Sequence, residues 1–220
     1  NTTSGFGIYK YTGTGSAGTI AHGLGSTPKM FLVKCTSNND TWGGYHADVG
    51  ATKYMELDST AAQQTSTVPW NDTEPTSSVF TVGNWSATNG NGRTYVAYCF
   101  VEKKGYSKFG KYTGNGNVDG TFVYTGFAPA FVMTKRSDST SDWLICDNKR
   151  PGYNVINKKL FPNGTSAEDS YDSFDFVSNG FKIRSSGSGH NANNGTFIYM
   201  AFAEEPLVAN VGSSIPGTAK

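Results

Sequence analysis

Tyr11-Thr12-Gly13-Thr14-Gly15 is answered by Tyr112-Thr113-Gly114-Asn115-Gly116, and the offset of 101 residues between them holds well beyond this motif. It carries Gly25 and Pro28 onto Gly126 and Pro129, Lys34 onto Lys135, Trp42 onto Trp143 and Phe80 onto Phe181. After one inserted residue, Tyr95, Phe100 and Glu102 fall on Phe197, Phe202 and Glu204. A register kept along a whole copy with a single slip marks an internal duplication. The 220 residues are therefore expected to divide into two repeats, 1–105 and 106–206, followed by a C-terminal tail at 207–220.

Within each copy, short segments rich in Val, Ile, Tyr, Phe and Thr alternate with Gly, Asn, Ser and Pro, the pattern of strands joined by tight turns. Copy one offers strands at 8–12, 19–22, 29–34, 41–45, 54–57, 79–82 and 94–101, and copy two repeats most of them. The last segments, Tyr95-Val96-Ala97-Tyr98-Cys99-Phe100 and Phe197-Ile198-Tyr199-Met200-Ala201-Phe202, are apolar on both faces, which suits a central strand. Helical signals are confined to 59–64 and 166–169. The expected fold is all-β, two tandem antiparallel β-sandwich repeats of jelly-roll-like type. Gly13, Gly15, Gly114 and Gly116 then serve turns that need positive φ. A phosphate-cradling role would require a following helix, which the pattern does not offer.

Composition narrows the partners. Charged residues make up 16% of the chain and the net charge is +1, without the clustered Lys and Arg that nucleic-acid binding demands. Aromatic residues at 14% exclude a disordered chain. No apolar run reaches the roughly 18 residues of a membrane helix, so no membrane insertion is expected. The chain begins without Met and reads as part of a longer protein. Three cysteines, Cys35, Cys99 and Cys146, make neither a CxxC pair nor a disulfide framework.

The stretches HGLGSTPKMFLVK (22–34), SSVFTVG (77–83) and YVAYCFVEKKGYSKFGKYTGNG (95–116) resemble a repeat found near the C-terminus of bacteriophage tail-fibre and other tail proteins, notably from phages of marine bacteria and cyanobacteria. VYTGFAPAFVMTKR (123–136), DWLICDNKR (142–150), DFVSNGFKIR (175–184) and YMAFAEEPLV (199–208) carry the resemblance through copy two, and IPGTAK (215–220) resembles the family's chain end. The resemblance implies a virion structural module, made in the bacterial cytoplasm and carried on the particle. At a tail-fibre or appendage tip such a module contacts the host surface through glycan. Its partners would be further copies of itself in a symmetric homo-oligomer, a trimer by the family's habit, together with other virion proteins. A purely architectural or capsid-decorating role and a polysaccharide depolymerase are the alternatives.

Chemistry beyond this is sparse. His22, His46 and His190 stand in no metal-ligand spacing, and their repeat counterparts are Val123, Asp147 and Thr88. Glu56 and Asp58 on one strand face, and Asp172 and Asp175 at a turn, are the carboxylates a depolymerase would draw on, but solvated surface is the plainer reading. Glu102 and Glu204 are expected to end their strands at solvent. The turns 37–40 and 191–194 could offer oxygen ligands to Ca²⁺, although Asn and Asp are ordinary turn residues. No catalytic residue, metal or cofactor is assigned. Trp42 and Trp143, equivalent across the repeat, read as packing. Trp70 and Trp85 have no aromatic counterpart and lie in the polar loops 68–75 and 83–92, so Trp70, Trp85, Asn71 and Asn89 are the candidate ligand-binding residues: ring faces for sugar, amides for its hydroxyls, with packing of these loops against another subunit as the alternative.

Overall fold

The computed structural model describes residues 1–206, apart from the side chain of Asp172, and its two compact units are Asn1–Glu102 and Lys103–Lys220. The tail expected at 207–220 lies outside the described residues. Unit 1 contains β1 (Phe6–Thr12), β2 (Gly18–Ala21), β3 (Met30–Cys35), β4 (Gly43–His46), β5 (Lys53–Glu56), β6 (Gln64–Thr65), β7 (Val79–Val82), α1 (Ser86–Asn89) and β8 (Thr94–Phe100). Unit 2 contains β9 (Ser107–Thr113), β10 (Phe122–Tyr124), β11 (Pro129–Arg136), β12 (Trp143–Asp147), β13 (Ile156–Lys159), β14 (Asp169–Val177), β15 (Gly180–Ile183), α2 (Ser188–Asn191) and β16 (Thr196–Ala203). The protein is an all-β, sandwich-type structure built from antiparallel sheets. Among the described residues no helix is long and apolar enough to cross a membrane.

In each unit the first strand pairs with the last and the second with the second-last: β1 with β8 and β2 with β7, β9 with β16 and β10 with β15. The last strand is central, β8 between β1 and β3 and β16 between β9 and β11. Alternation puts Tyr95, Ala97 and Cys99 of β8 into the unit 1 core with Phe31, Val33, Trp70 and Phe80. Phe197, Tyr199 and Ala201 of β16 enter the unit 2 core with Val132, Phe174 and Phe181. Directly opposite residues stack across each ladder. Tyr11 lies on Tyr95 at 5.1 Å and Tyr112 on Phe197 at 5.0 Å.

Both units secure the turn after their first strand by one buried amide. Asn89 accepts from Thr14 N at 2.9 Å and donates to the Ser16 and Gly83 carbonyls at 2.7 and 2.6 Å. Asn191 accepts from Asn115 N at 3.0 Å and donates to the Asn117 and Ser185 carbonyls, both at 2.7 Å. Gly13 and Gly114 admit no side chain, since a Cβ would stand 2.4 Å from Gly90 O and 2.3 Å from Ala192 O respectively. The single helical turns α1 and α2 end on these asparagines, whereas 59–63 and 166–168 are irregular. Isolated helices this short gain too little from propensity to form without such tertiary support.

The units part company along one edge. In unit 1, β5 and β6 extend the β1-β8-β3-β4 sheet to six strands, leaving β2-β7 as a separate pair. In unit 2, β13 and β14 join β10-β15 instead, and a lone bridge between Ile145 and Leu160 links them back to β12. Asp172 and Asp175, expected at a turn, are therefore part of a nine-residue strand, and Asp175 pairs with Arg184 at 3.3 Å.

Trp143 is 1% exposed, as packing requires. Trp42 is only half-buried, with its ring 5.9 Å from Tyr98 and Lys34 Nζ above it at 5.8 Å. Lys34 Nζ donates to Asp40 O and Lys135 Nζ to the corresponding Ser141 O. Lys135 is fully enclosed, and burial holds its ammonium down to about 8.

Candidate functional site

Glycine inside a strand weakens it and commonly marks a place where another group approaches the backbone. β4 begins with Gly43-Gly44, where the repeat offset places Leu144 and Ile145 in unit 2. A Cβ on Gly43 would stand 2.8 Å from Thr88 Cγ2, 3.2 Å from the Trp85 ring and 3.5 Å from the Trp70 ring. Two indoles thus descend on one bare stretch of backbone.

Trp70 is fully enclosed, edge-on to Phe31 at 4.9 Å and to Tyr45 at 6.5 Å. Its loop is fastened on three further sides. Gly83 N donates to Pro69 O at 2.9 Å, and a Cβ on Gly83 would collide with Val68 O at 2.1 Å. Glu74 accepts from the Tyr45 hydroxyl and, at 2.8 Å, from Ala51 N. Burial and this carboxylate raise the Tyr45 phenol well above its ordinary value. Buried His22 accepts from Leu24 N at Nδ1, so its proton sits on Nε2, which donates to Thr76 O at 3.1 Å.

The fastened loop and the Trp85 ring bound a groove of about 240 Å³ lined by Tyr54, Ser66, Val68, Pro69 and Trp85. Tyr54 and Trp85 form a corner, with ring centroids 4.8 Å apart and planes at 58°. The Tyr54 hydroxyl donates to Gln64 Oε1 at 3.1 Å, across the β5–β6 ladder, which sets the ring's height. Burial, with help from Glu56, raises the Tyr54 phenol. Burial and Asp58 raise the Glu56 carboxyl, while a hydrogen bond with Ser59 opposes them. The groove is smaller than the roughly 300 Å³ at which pockets for drug-sized ligands begin.

Of the four residues expected to bind ligand, Trp85 lines this groove. Trp70 does not present a face: its loop is polar, but the indole is a core residue, and the expectation is corrected. Asn89 is corrected likewise, because at 2% exposure its amide is consumed by the turn it holds. Asn71 is exposed at the loop's tight turn, with φ at +52°, and is not among the groove's lining residues. Val68 and Pro69 open the loop 68–75 that carries Trp70, whereas Tyr54 and Ser66 were not anticipated. Their signal was the Gly43-Gly44 pair facing Leu144-Ile145 across the repeat.

The other candidates are occupied structurally. Asp58 accepts from the Thr41 hydroxyl and, at 3.0 Å, from Trp42 N. Asp40, in the turn weighed for Ca²⁺, pairs with Arg93 at 2.6 Å, and Asn191 is the buried clamp of unit 2. Among the described residues no group of three or more His, Cys, Asp or Glu could hold a metal ion. Cys35, Cys99 and Cys146 are buried free thiols, and burial pushes Cys99 and Cys146 up to about 12.

These features define a β-sandwich protein with an aromatic groove at the edge of its first unit. Residues 1–206 match a domain family of unknown function, DUF7483, and the chain belongs to that family. No curated protein and no solved structure matches it.

Proposed function

We propose that the protein is a structural module of a bacteriophage virion, at the tip of a tail fibre or similar appendage, that binds host-surface glycan through the Tyr54–Trp85 groove. The observation that carries this reading is the groove itself: a partly open indole and phenol meet at a corner beside Ser66 and Gln64. Aromatic faces receive the C–H face of a sugar ring, and hydroxyl and amide groups receive its polar edge. The resemblance of 22–34, 95–116 and 175–184 to tail-protein repeats supplies the setting.

In this setting the chain binds without turning its ligand over, and Asp58 is given over to holding the start of β4. It assembles as a symmetric homo-oligomer, a trimer, with other virion proteins. Repeated weak grooves then add up to useful avidity.

Surface polysaccharide extracted from marine bacteria and cyanobacteria, immobilised and probed with the purified chain, tests the proposal. Binding is expected for at least one extract, with loss on Trp85→Ala and retention on Trp42→Ala, and without release of new reducing ends. Binding untouched by Trp85→Ala would remove the groove from the reading, and sustained release of reducing ends would make the protein a depolymerase.

A further inference from the structure

Among the residues lining the groove, Tyr54 and Ser66 carry side-chain oxygen, and none is charged. The partners of each oxygen decide what it can still do. The Tyr54 hydroxyl gives its hydrogen to Gln64 Oε1 at 3.1 Å, which leaves the phenol oxygen to accept. Ser66 stands the other way round. Its Oγ accepts from Val68 N at 3.2 Å, and among the described residues its hydrogen has no acceptor, so the hydroxyl is free to donate. Ser66 N donates to Thr52 O at 3.1 Å, one bond beyond the β5–β6 ladder, and this holds the serine in place.

The rest of the lining is Val68, Pro69 and Trp85. Val68 is 38% exposed, although its N–H is held by Ser66 and its carbonyl lies against Gly83. A valine kept open on a fastened backbone is an apolar seat. The groove thus combines one hydroxyl that donates, one oxygen that accepts and an aliphatic surface, in about 240 Å³. A compact neutral group with the complementary set is the acetamido group. Its carbonyl accepts from Ser66, its N–H donates to the Tyr54 oxygen, and its methyl covers Val68, while the sugar that bears it lies on the Trp85 face. A bare sugar hydroxyl would satisfy either oxygen and leave the valine in water. A carboxylate would accept from Ser66 and offer no hydrogen to Tyr54.

We propose that the groove selects an N-acetylated amino sugar, with Ser66 and Tyr54 binding its amide and Val68 receiving its methyl. This rests on the glycan reading above and narrows it to one ligand class. One such sugar is bound per chain, because Val155 and Gly187 occupy in unit 2 the repeat positions of Tyr54 and Trp85.

Saturation-transfer NMR and tryptophan-fluorescence titration of the full chain test it, with N-acetylglucosamine set against glucose and N-acetylgalactosamine against galactose. At least one acetamido sugar should bind about ten-fold tighter than its parent, the factor expected from a neutral hydrogen bond and a buried methyl together. Its acetyl methyl should receive the strongest saturation. Ser66→Ala should cut the preference about five-fold, the usual weight of one neutral hydrogen bond. Ser66→Thr keeps a hydroxyl there and should retain it. Tyr54→Phe leaves the ring and removes the acceptor, and should cost a similar factor. Parity between acetamido sugar and parent, or a preference unmoved by Ser66→Ala, overturns the acetamido assignment while leaving the glycan reading standing. Silence of all four sugars overturns it as well, and the immobilised polysaccharides then decide the glycan reading alone.

Discussion

In unit 1 the fourth strand opens with two glycines and carries two indoles over them; in unit 2 the same strand opens with Trp143 and has Leu144 and Ile145 where the glycines stand. The frames are otherwise alike, down to the stacked pairs Tyr11–Tyr95 and Tyr112–Phe197 and the clamps Asn89 and Asn191. At the edge, unit 1 ends in the two-residue strand β6. Unit 2 ends in the lysine-bearing β13, within a web of ion pairs. Arg150 holds Asp147 at 2.6 Å and Glu168 at 2.9 Å, Lys158 meets Glu168 at 3.3 Å and Lys159 meets Asp169 at 3.1 Å. A very short edge strand and a charged one are two ways of discouraging edge-to-edge association. Exposed ion pairs contribute little to stability, so the web of unit 2 reads as surface chemistry. Duplication preserved the frame and left one edge free to become a groove in one copy and a charged margin in the other.

The largest effect should come from the residue that joins frame and groove. Trp70→Ala removes a fully enclosed indole and leaves a cavity against Phe31 and Tyr45, which costs about 3–5 kcal/mol. Hydrogen exchange should accelerate across β4 to β6 and the 66–78 loop while β9 to β16 keep their protection. Uniform acceleration across both units would show that they do not hold their stabilities separately.

A second comparison tests the shared clamp. Asn89→Ala and Asn191→Ala each strip several hydrogen bonds from one buried turn and leave carbonyls without a donor, at a cost of about 2–3 kcal/mol each. Denaturant unfolding should report losses that agree within about 1 kcal/mol, the usual scatter of such contributions. A loss confined to one variant would mean that the clamps are alike in geometry and different in role.

The frame was legible because its signals are local and periodic: strand-length apolar segments, glycines after the first strand, and an offset that pairs each with its twin. The groove was legible only through Trp85. Whether an aromatic residue in a polar loop faces solvent or the core is decided by distant residues, here Phe31, Tyr45 and Gly43, and neither the type nor the neighbours of Trp70 carries that information. Asn89 was misjudged for a related reason. A polar residue beside a glycine suggests surface, yet after the one-residue slip it aligns with Asn191. An asparagine kept at both positions is the mark of a turn that needs its amide.

The smallest expected effect concerns His190, whose counterpart in unit 1 is Thr88. His190 is 5% exposed, its Nε2 has no hydrogen-bond partner, and it lies 5.8 Å from the Phe174 ring, with Lys159 the charged group acting on it. Burial first and Lys159 second hold its imidazolium down to about 4, against about 6.5 in the unfolded chain. The folded state therefore stays neutral where the unfolded state takes up a proton, and stability falls as pH drops through 6.5 and levels off below 4. Between pH 7.5 and 5 the loss from this one group should be about 2 kcal/mol. His190→Thr copies the unit 1 residue and should flatten that part of the curve whatever it does to stability at neutral pH, because Thr88 and its copy have no proton to exchange in this range. Denaturant midpoints across the window, read by hydrogen exchange in β14 and β16, measure the slope. A slope that survives the substitution would assign the acid sensitivity elsewhere, and the pairing of His190 with Thr88 would cease to be a functional difference between the units.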